Sequence, residues 1–356
     1  MPKQIALFLD GTRNTDKPSS GSGTTSVHKL FSAATGPKKK YIKGVAADSN
    51  DPIEALVGLG TTGKIREAYR FLTRNYERGD SIYIFGFSRG AFAARSLAGF
   101  AFCVGLLLNG NDTPANLDAA WKAYTKPSPD ALHNLRKLLF QISGQTLPEV
   151  ERTDLPVHFI GVWDTVSALG GPFKALPLMA RFGLFHRHEM PPNVNHGRHA
   201  LAFHEGRKLF EPLLFSKMTA PTTQTLEQRW FAGAHSDVGG GYRDSDAGLA
   251  RPSFQWMARE AVSVGFACDA SAVAQAYSAA ACTFHQEHPL LEHRIRPAIA
   301  RPNELLQETK DSFSIDSSVA SLIPALVSQY PSWASVRLLR TDALIQTRIN
   351  QAPQWG

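Results

Sequence analysis

Residues 4–9 read as a short strand, Gln4 followed by an unbroken apolar run from Ile5 to Leu9 that stops abruptly at Asp10-Gly11-Thr12. A short run without polar alternation marks a strand buried on both faces, as in a parallel sheet. Largely apolar strand patterns return at 81–87 and 157–163, with a further strand at 228–232 that opens on Gln228-Arg229 and a weaker candidate at 41–47. Between these runs the apolar positions recur at helical spacing. In 63–76, Ile65, Ala68, Tyr69 and Leu72 fall on one helical face, and Gly79-Asp80 ends the segment. Residues 97–108 are apolar all round, which predicts a buried helix. Helical patterns also cover 116–142, interrupted by Pro-Ser-Pro at 127–129, and then 253–265 and 271–282. Strands alternating with helices predict an α/β fold, a mostly parallel central sheet with helices on both faces.

The remaining segments are less regular. A polar loop rich in Ser, Gly and Thr follows the first strand as far as about Thr25. Residues 170–198 are rich in Gly, Pro, His and Arg and read as an irregular insertion, either a lid or a surface loop. Its Phe173, Met179, Phe182, Phe185 and Met190 would supply a lipid-contacting rim. From about 300 the chain is a polar extension with an apolar helical patch at 319–327. No internal repeat and no linker divides the sequence, so 1–356 reads as a single domain.

Composition narrows the function classes. The 356 residues are 43% hydrophobic and 19% charged, enough for a large core. The net charge of +7 suits anionic surfaces such as phospholipid headgroups. No nucleic-acid-binding motif accompanies that charge, and no nucleic-acid partner is expected. Lys38-Lys39-Lys40, the one dense basic run, reads as a solvated loop. Cys103, Cys268 and Cys282 make an odd, sparse count with no metal-ligand spacing, so neither a disulfide framework nor a metal or cofactor is expected. The N-terminus has no basic region followed by an apolar core, hence no expected signal peptide, and 97–108 is too short to span a bilayer. The protein is expected to be cytoplasmic when made, and export would need a route without a cleaved signal.

The strand at 81–87 runs straight into Gly86-Phe87-Ser88-Arg89-Gly90 and a small-residue helix. That is the strand–turn–helix setting of a nucleophile elbow: Gly86 and Gly90 leave room for a strained turn that exposes the Ser88 hydroxyl. A serine nucleophile needs an imidazole to take its proton and a carboxylate to orient the imidazole. In α/β-hydrolases these follow in the order Ser, acid, His. Asp164 ends the strand at 157–163, and His235 lies just after the strand at 228–232. Asp164 alone would also read as a helix cap before Thr165-Val166-Ser167, and Asp237, two residues beyond His235, is a rival acid. Otherwise Asp237 would brace the turn at Gly239-Gly240-Gly241. An oxyanion hole needs two backbone N–H groups. Arg89 would give one, and Gly11 or Thr12, next to Asp10, the other. His158 and His204 lie in or beside apolar segments and read as core or interfacial.

Three other motifs lead nowhere. Phe8-Leu9-Asp10-Gly11-Thr12 approaches the Asp-x-Asp-Gly-Thr signature of haloacid-dehalogenase phosphatases, but Phe8 stands where the nucleophile belongs. Gly58-x-x-x-x-Gly63-Lys64 approaches a P-loop, but Ile65 replaces the magnesium-binding hydroxyl. Gly58, Gly60 and Gly63 also fit Gly-x-Gly-x-x-Gly, without a strand before them.

Four blocks together carry a resemblance: Asp10-Gly11-Thr12-Arg13-Asn14, the elbow from Gly86 to Arg95, Val162-Trp163-Asp164-Thr165-Val166, and Trp230 to Tyr242. Over roughly residues 5 to 260 the chain resembles the α/β-hydrolase family of uncharacterised bacterial and fungal proteins that includes the first class of type VI secretion lipase effectors, which are phospholipases. The resemblance implies an α/β-hydrolase-like fold and a Ser88-Asp164-His235 triad. It also implies a phospholipid or other ester substrate and contact with a membrane surface. Further implications are export by a type VI system into a target cell's periplasm, a secretion-spike partner and an immunity protein. The chain departs from the family block at His204, where Asp would be expected. Larger effectors also carry an extra membrane-engaging module, for which little of the 356 residues remains. The expected function is a serine esterase of lipase or phospholipase type. The alternatives are a cytoplasmic esterase or thioesterase for a soluble ester, and a non-catalytic interaction protein with a relic triad.

Overall fold

The computed structural model describes residues 3–12, 14–17, 22–45, 60–107, 110, 112–125, 155–166, 189–205, 207, 210–215, 224–283, 285 and 313–318. Their strands are β1 (Gln4–Leu9), β2 (Lys38–Ile42), β3 (Ser81–Phe87), β4 (Val157–Trp163), β5 (Val194–Ala202), β6 (Thr225–Phe231) and β7 (Phe313–Ile315). The helices are α1 (Ser26–Ala33), α2 (Thr61–Asn75), α3 (Arg89–Val104), α4 (Pro114–Tyr124), α5 (His235–Gly239), α6 (Ala250–Ser263) and α7 (Ala270–Gln275). The seven described strands form one sheet in the order β2-β1-β3-β4-β5-β6-β7, and every described pair is parallel.

The period of two along each strand sorts side chains between two cores. Ile5, Leu7 and Leu9 of β1 join Ile82 and Ile84 of β3 against α2 and α3. Ala6 and Phe8 join Tyr83, Phe85 and Phe87 against α1 and α6. Both faces are covered, as the unbroken apolar runs require. This is an α/β-hydrolase-like fold.

Several expected elements shift. Lys38-Lys39-Lys40 is not a solvated loop but the edge strand β2. Lys39 Nζ donates to the carbonyls of Phe31 (2.8 Å) and Ala34 (2.6 Å) at the end of α1. Lys40 pairs with Glu67 of α2. Lysines on a sheet edge also discourage pairing with another chain. The expected insertion at 170–198 overlaps a central strand: residues 194–198 belong to β5, between β4 and β6. Residues 170–188, with Phe173, Met179, Phe182 and Phe185, lie outside the described residues, as do Gly58 and 319–327. The region beyond 300 contributes β7, paired with β6. The helix expected at 271–282 stops at Gln275.

β5 was missed because its polar residues hide the strand pattern. Arg198, His196 and His199 find their partners only in the fold. Arg198 Nε donates to Glu260 of α6 at 2.6 Å. His196 Nδ1 lies 2.9 Å from Thr225 Oγ1. His199 Nε2 accepts the Thr165 N–H at 3.1 Å, so its Nδ1–H donates to Gln228 Oε1 at 3.2 Å.

Candidate active site

The strand order reverses between β1 and β3: the chain leaves β1 for β2 on one side and comes back to β3 on the other. In open parallel sheets the crevice beyond the carboxyl ends at such a switch point is where ligands bind. Here those ends carry Asp10-Gly11-Thr12 and Ser88.

Ser88 sits between β3 and α3 with φ 58° and ψ −124°, a conformation that side-chain-bearing residues seldom adopt. The surrounding backbone imposes it. Ser88 N–H donates to the Trp163 carbonyl at 3.0 Å, continuing the sheet ladder, while its carbonyl accepts the Phe92 N–H at 3.2 Å, starting the helix. The flanking glycines permit the crossing. A Cβ on Gly86 would come within 2.6 Å of the Gly90 carbonyl oxygen. A Cβ on Gly90 would lie 2.2 Å from the Leu9 and 2.4 Å from the Asp10 carbonyl oxygens. Any side chain there would push α3 off the ends of β1 and β3.

The structure brings Ser88, His235 and Asp164 into one hydrogen-bonded line. His235 Nε2 is 2.8 Å from Ser88 Oγ, and its Nδ1 is 2.6 Å from Asp164 Oδ2. The other Asp164 oxygen accepts the Ala202 N–H at 3.0 Å. An ionised carboxylate only accepts, so Nδ1 carries the proton and Nε2 presents its lone pair to the serine hydroxyl. Ser88 is 5% exposed, His235 4% and Asp164 not at all. The imidazole is clasped between Phe87 and Phe210, ring centres 4.6 Å and 4.8 Å away.

The rival acid faces elsewhere. Asp237 Oδ1 pairs with His285 Nδ1 at 2.7 Å, and Oδ2 accepts the Ala234 N–H at 2.9 Å. Burial raises the Asp237 carboxyl above its ordinary range, and the His285 bond opposes this.

The expected oxyanion donors need one correction. The Gly11 N–H donates to Asp10 Oδ1 at 2.7 Å, so it is taken by the side chain beside it. Thr12 follows on the same loop, which presses against the serine: a Cβ on Gly11 would lie 2.9 Å from the Phe87 ring and 3.2 Å from Ser88 Cβ. Arg89 opens α3, where first-turn amides have no intrahelical acceptor.

Asp10 ties this loop to two neighbours. Its Oδ2 accepts from the hydroxyls of Thr25 and Tyr41, each at 2.6 Å, and Thr25 Oγ1 in turn caps α1 by accepting the His28 N–H. Burial pushes the Asp10 carboxyl from the ordinary 3.8 up to about 6, against the pull of the Thr25, Tyr41 and Gly11 hydrogen bonds. The native state therefore binds the proton more tightly than the unfolded chain. The contribution of this group to stability is greatest below pH 3.8 and declines as pH rises through about 6. Asp10→Asn is expected to flatten that decline, measured as melting temperature against pH relative to the unaltered chain. Equal slopes in both proteins would contradict it.

Some supporting residues were not legible in sequence. The loop after Asp164 is held by His199 at Thr165 N–H. Leu213 N–H donates to the Thr165 carbonyl at 2.8 Å. Arg95 of α3 donates to the carbonyls of Leu213 and Leu214 and stacks on Phe215, 3.9 Å from its ring centre. His158 Nε2 lies 2.9 Å from the Val264 carbonyl oxygen. His204 and Glu205, on the loop after β5, reach the turn that carries His235. The Ala200–Glu205 block hinted at them, but no sequence signal said which backbone groups they meet.

The chain is similar to known proteins over this same region. Residues 3–260 match the family described as T6SS, Phospholipase effector Tle1-like, catalytic domain. An uncharacterized protein of Saccharomyces cerevisiae, YEL023C, is 28% identical over 235 residues, covering 61% of this chain and 33% of that protein. The chain thus spans about a third of the length of that relative. A crystal structure of an uncharacterized protein from Pseudomonas aeruginosa aligns with 75% of this chain and 46% of its own, at a TM-score of 0.40 and 17% identity. The family match takes in every element from β1 to β6 together with Ser88, Asp164 and His235, and the protein belongs to the Tle1-like phospholipase effector family of type VI secretion through its catalytic domain.

Proposed function

We propose that the protein is a serine ester hydrolase that cleaves acyl esters of phospholipids through an acyl-enzyme. The observation that carries this reading is the line Ser88 Oγ–His235 Nε2 (2.8 Å), His235 Nδ1–Asp164 Oδ2 (2.6 Å), set at a strained strand-to-helix turn. Family membership supplies the lipid substrate class.

Ser88 Oγ attacks the ester carbonyl carbon while His235 Nε2 takes the hydroxyl proton. The developing negative charge on the carbonyl oxygen is held by the backbone N–H groups of Arg89 and Thr12. The ester C–O bond then breaks, and the leaving lysolipid oxygen receives the proton from His235. A water molecule, deprotonated by the same nitrogen, attacks the acyl group on Ser88, releasing a fatty acid and restoring the hydroxyl. Asp164 stays ionised throughout, holding the tautomer and stabilising the imidazolium. Export by a type VI system, action on the membrane of a target cell, and partnership with a secretion spike and an immunity protein belong to the same proposal.

The test is labelling by a fluorophosphonate, with mass spectrometry of the labelled peptide and of the lipids left after incubation with phospholipid vesicles. The expected result is a label on Ser88, together with lysolipid and fatty acid. Labelling with turnover of soluble esters only would leave the hydrolase and remove the lipid. A folded protein that takes no label would leave a relic site.

A further inference from the structure

Three consecutive backbone N–H groups lead into His235, and each donates to a side chain. Gly233 N–H meets His204 Nδ1 at 2.9 Å, Ala234 N–H meets Asp237 Oδ2 at 2.9 Å, and His235 N–H meets Glu205 Oε2 at 3.2 Å. The end of the sheet explains the need. β6 stops at Phe231, and the last ladder-like bonds run from Phe203 N–H to the Phe231 carbonyl (2.9 Å) and from His204 N–H to the Gly233 carbonyl (3.0 Å). Beyond that point the turn has left the ladder, and the first amides of α5 have no helical acceptor. A buried N–H left unmatched loses its water partner and gains nothing in return.

Glu205 acts on His235 from two directions. Its side chain is 1% exposed. Besides the His235 N–H it receives the Arg207 N–H and Nε on Oε1, each at 2.8 Å, and Arg207 Nη2 on Oε2 at 2.7 Å. The guanidinium so held stacks on Phe210 at 3.7 Å, and Phe210 packs edge-on against the His235 ring. One buried carboxylate therefore anchors the main chain of His235 and, through Arg207 and Phe210, one face of its imidazole. Phe87 covers the other face. Topology makes the loop after β5 the source of this anchor, because β5 lies between the strands that deliver Asp164 and His235.

We propose that Glu205 is a positioning residue that holds the His235 imidazole in line between Asp164 and Ser88, with His204 as its companion, a neutral imidazole accepting the Gly233 N–H. This rests on the reading of His235 as the proton carrier. Burial pushes the His204 imidazole down to about 3, so it stays an acceptor across the working pH range. A carboxylate at that position would accept the same N–H.

Misplacing a reacting group by about 1 Å can cost roughly 100-fold in rate. Glu205→Ala is expected to lower kcat by about that factor with KM little changed. Glu205→Gln keeps an acceptor for the His235 N–H. It should regain most of kcat. His204→Asp should retain activity, and His204→Leu should lose it.

A folded Glu205→Ala enzyme with unchanged kcat would overturn the proposal. If that variant does not fold, Glu205→Asp, whose shorter side chain draws the carboxylate back from the His235 N–H, decides by the split of kcat and KM: a fall in kcat at little-changed KM supports the role, and an unchanged kcat overturns it. His235→Ala runs alongside. Full activity there would remove the proton-carrier reading itself rather than the role of Glu205.

Discussion

Ser88→Ala is expected to lower ester turnover by about 10⁶-fold, the scale seen when a serine nucleophile is removed from a working triad. The fold should survive, because the bonds that define the turn are backbone bonds: Ser88 N–H to the Trp163 carbonyl and Phe92 N–H to the Ser88 carbonyl. The side chain contributes the bond to His235 Nε2, and a methyl group fits in its place. The measurement is turnover of phospholipid vesicles and of a soluble ester, beside thermal unfolding. A melting temperature within a few degrees of the unaltered chain with products absent supports the nucleophile; retained turnover of both substrates sinks it. Ser88→Gly adds a second reading of the same turn. Glycine takes φ 58° without penalty, and strain of this kind costs on the order of 1–3 kcal/mol. The glycine variant should be inactive and no less stable, the mark of strain kept for chemistry.

Asp164→Asn is expected to cost about 10⁴-fold in kcat, the magnitude of a wrong imidazole tautomer. The surroundings of Asp164 dictate which way the new amide turns. Oδ1 accepts the Ala202 N–H, a buried donor that must keep an acceptor. The amide oxygen therefore goes to Ala202 and the NH2 group faces His235 Nδ1. Nδ1 must then accept, its proton moves to Nε2, and Nε2 can no longer take a proton from Ser88. Structure and volume are almost unchanged, so melting temperature should barely move while fluorophosphonate labelling slows with kcat. Asp237→Asn is the control: it disturbs the Ala234 and His285 contacts and leaves the Asp164–His235 bond in place. If Asp237→Asn lost 10⁴-fold and Asp164→Asn did not, the acid would have to be reassigned.

Local order in the chain accounts for much of this molecule. The buried runs at 4–9, 81–87 and 157–163 were legible as strands because a parallel sheet covered on both faces leaves no polar alternation to confuse the period. The elbow was legible because strand, turn and helix follow one another in the chain with glycine at 86 and 90; the local backbone demands the first, and the carbonyls ending β1 demand the second. The placing of Ser88, Asp164 and His235 at strand ends follows from the same patterns. Other features depended on contacts between distant segments. β5 reads as polar loop until Glu260, Thr225 and Gln228 satisfy its Arg198, His196 and His199. Lys38–Lys40 reads as solvent-exposed until the carbonyls ending α1 and Glu67 are brought beside it. The Gly11 amide was a fair oxyanion donor on sequence, and only the rotamer of Asp10 removes it. The anchoring of His235 by Glu205 is of this kind too. A side chain thirty positions away can reach one backbone N–H only after the sheet has set β5 beside β6.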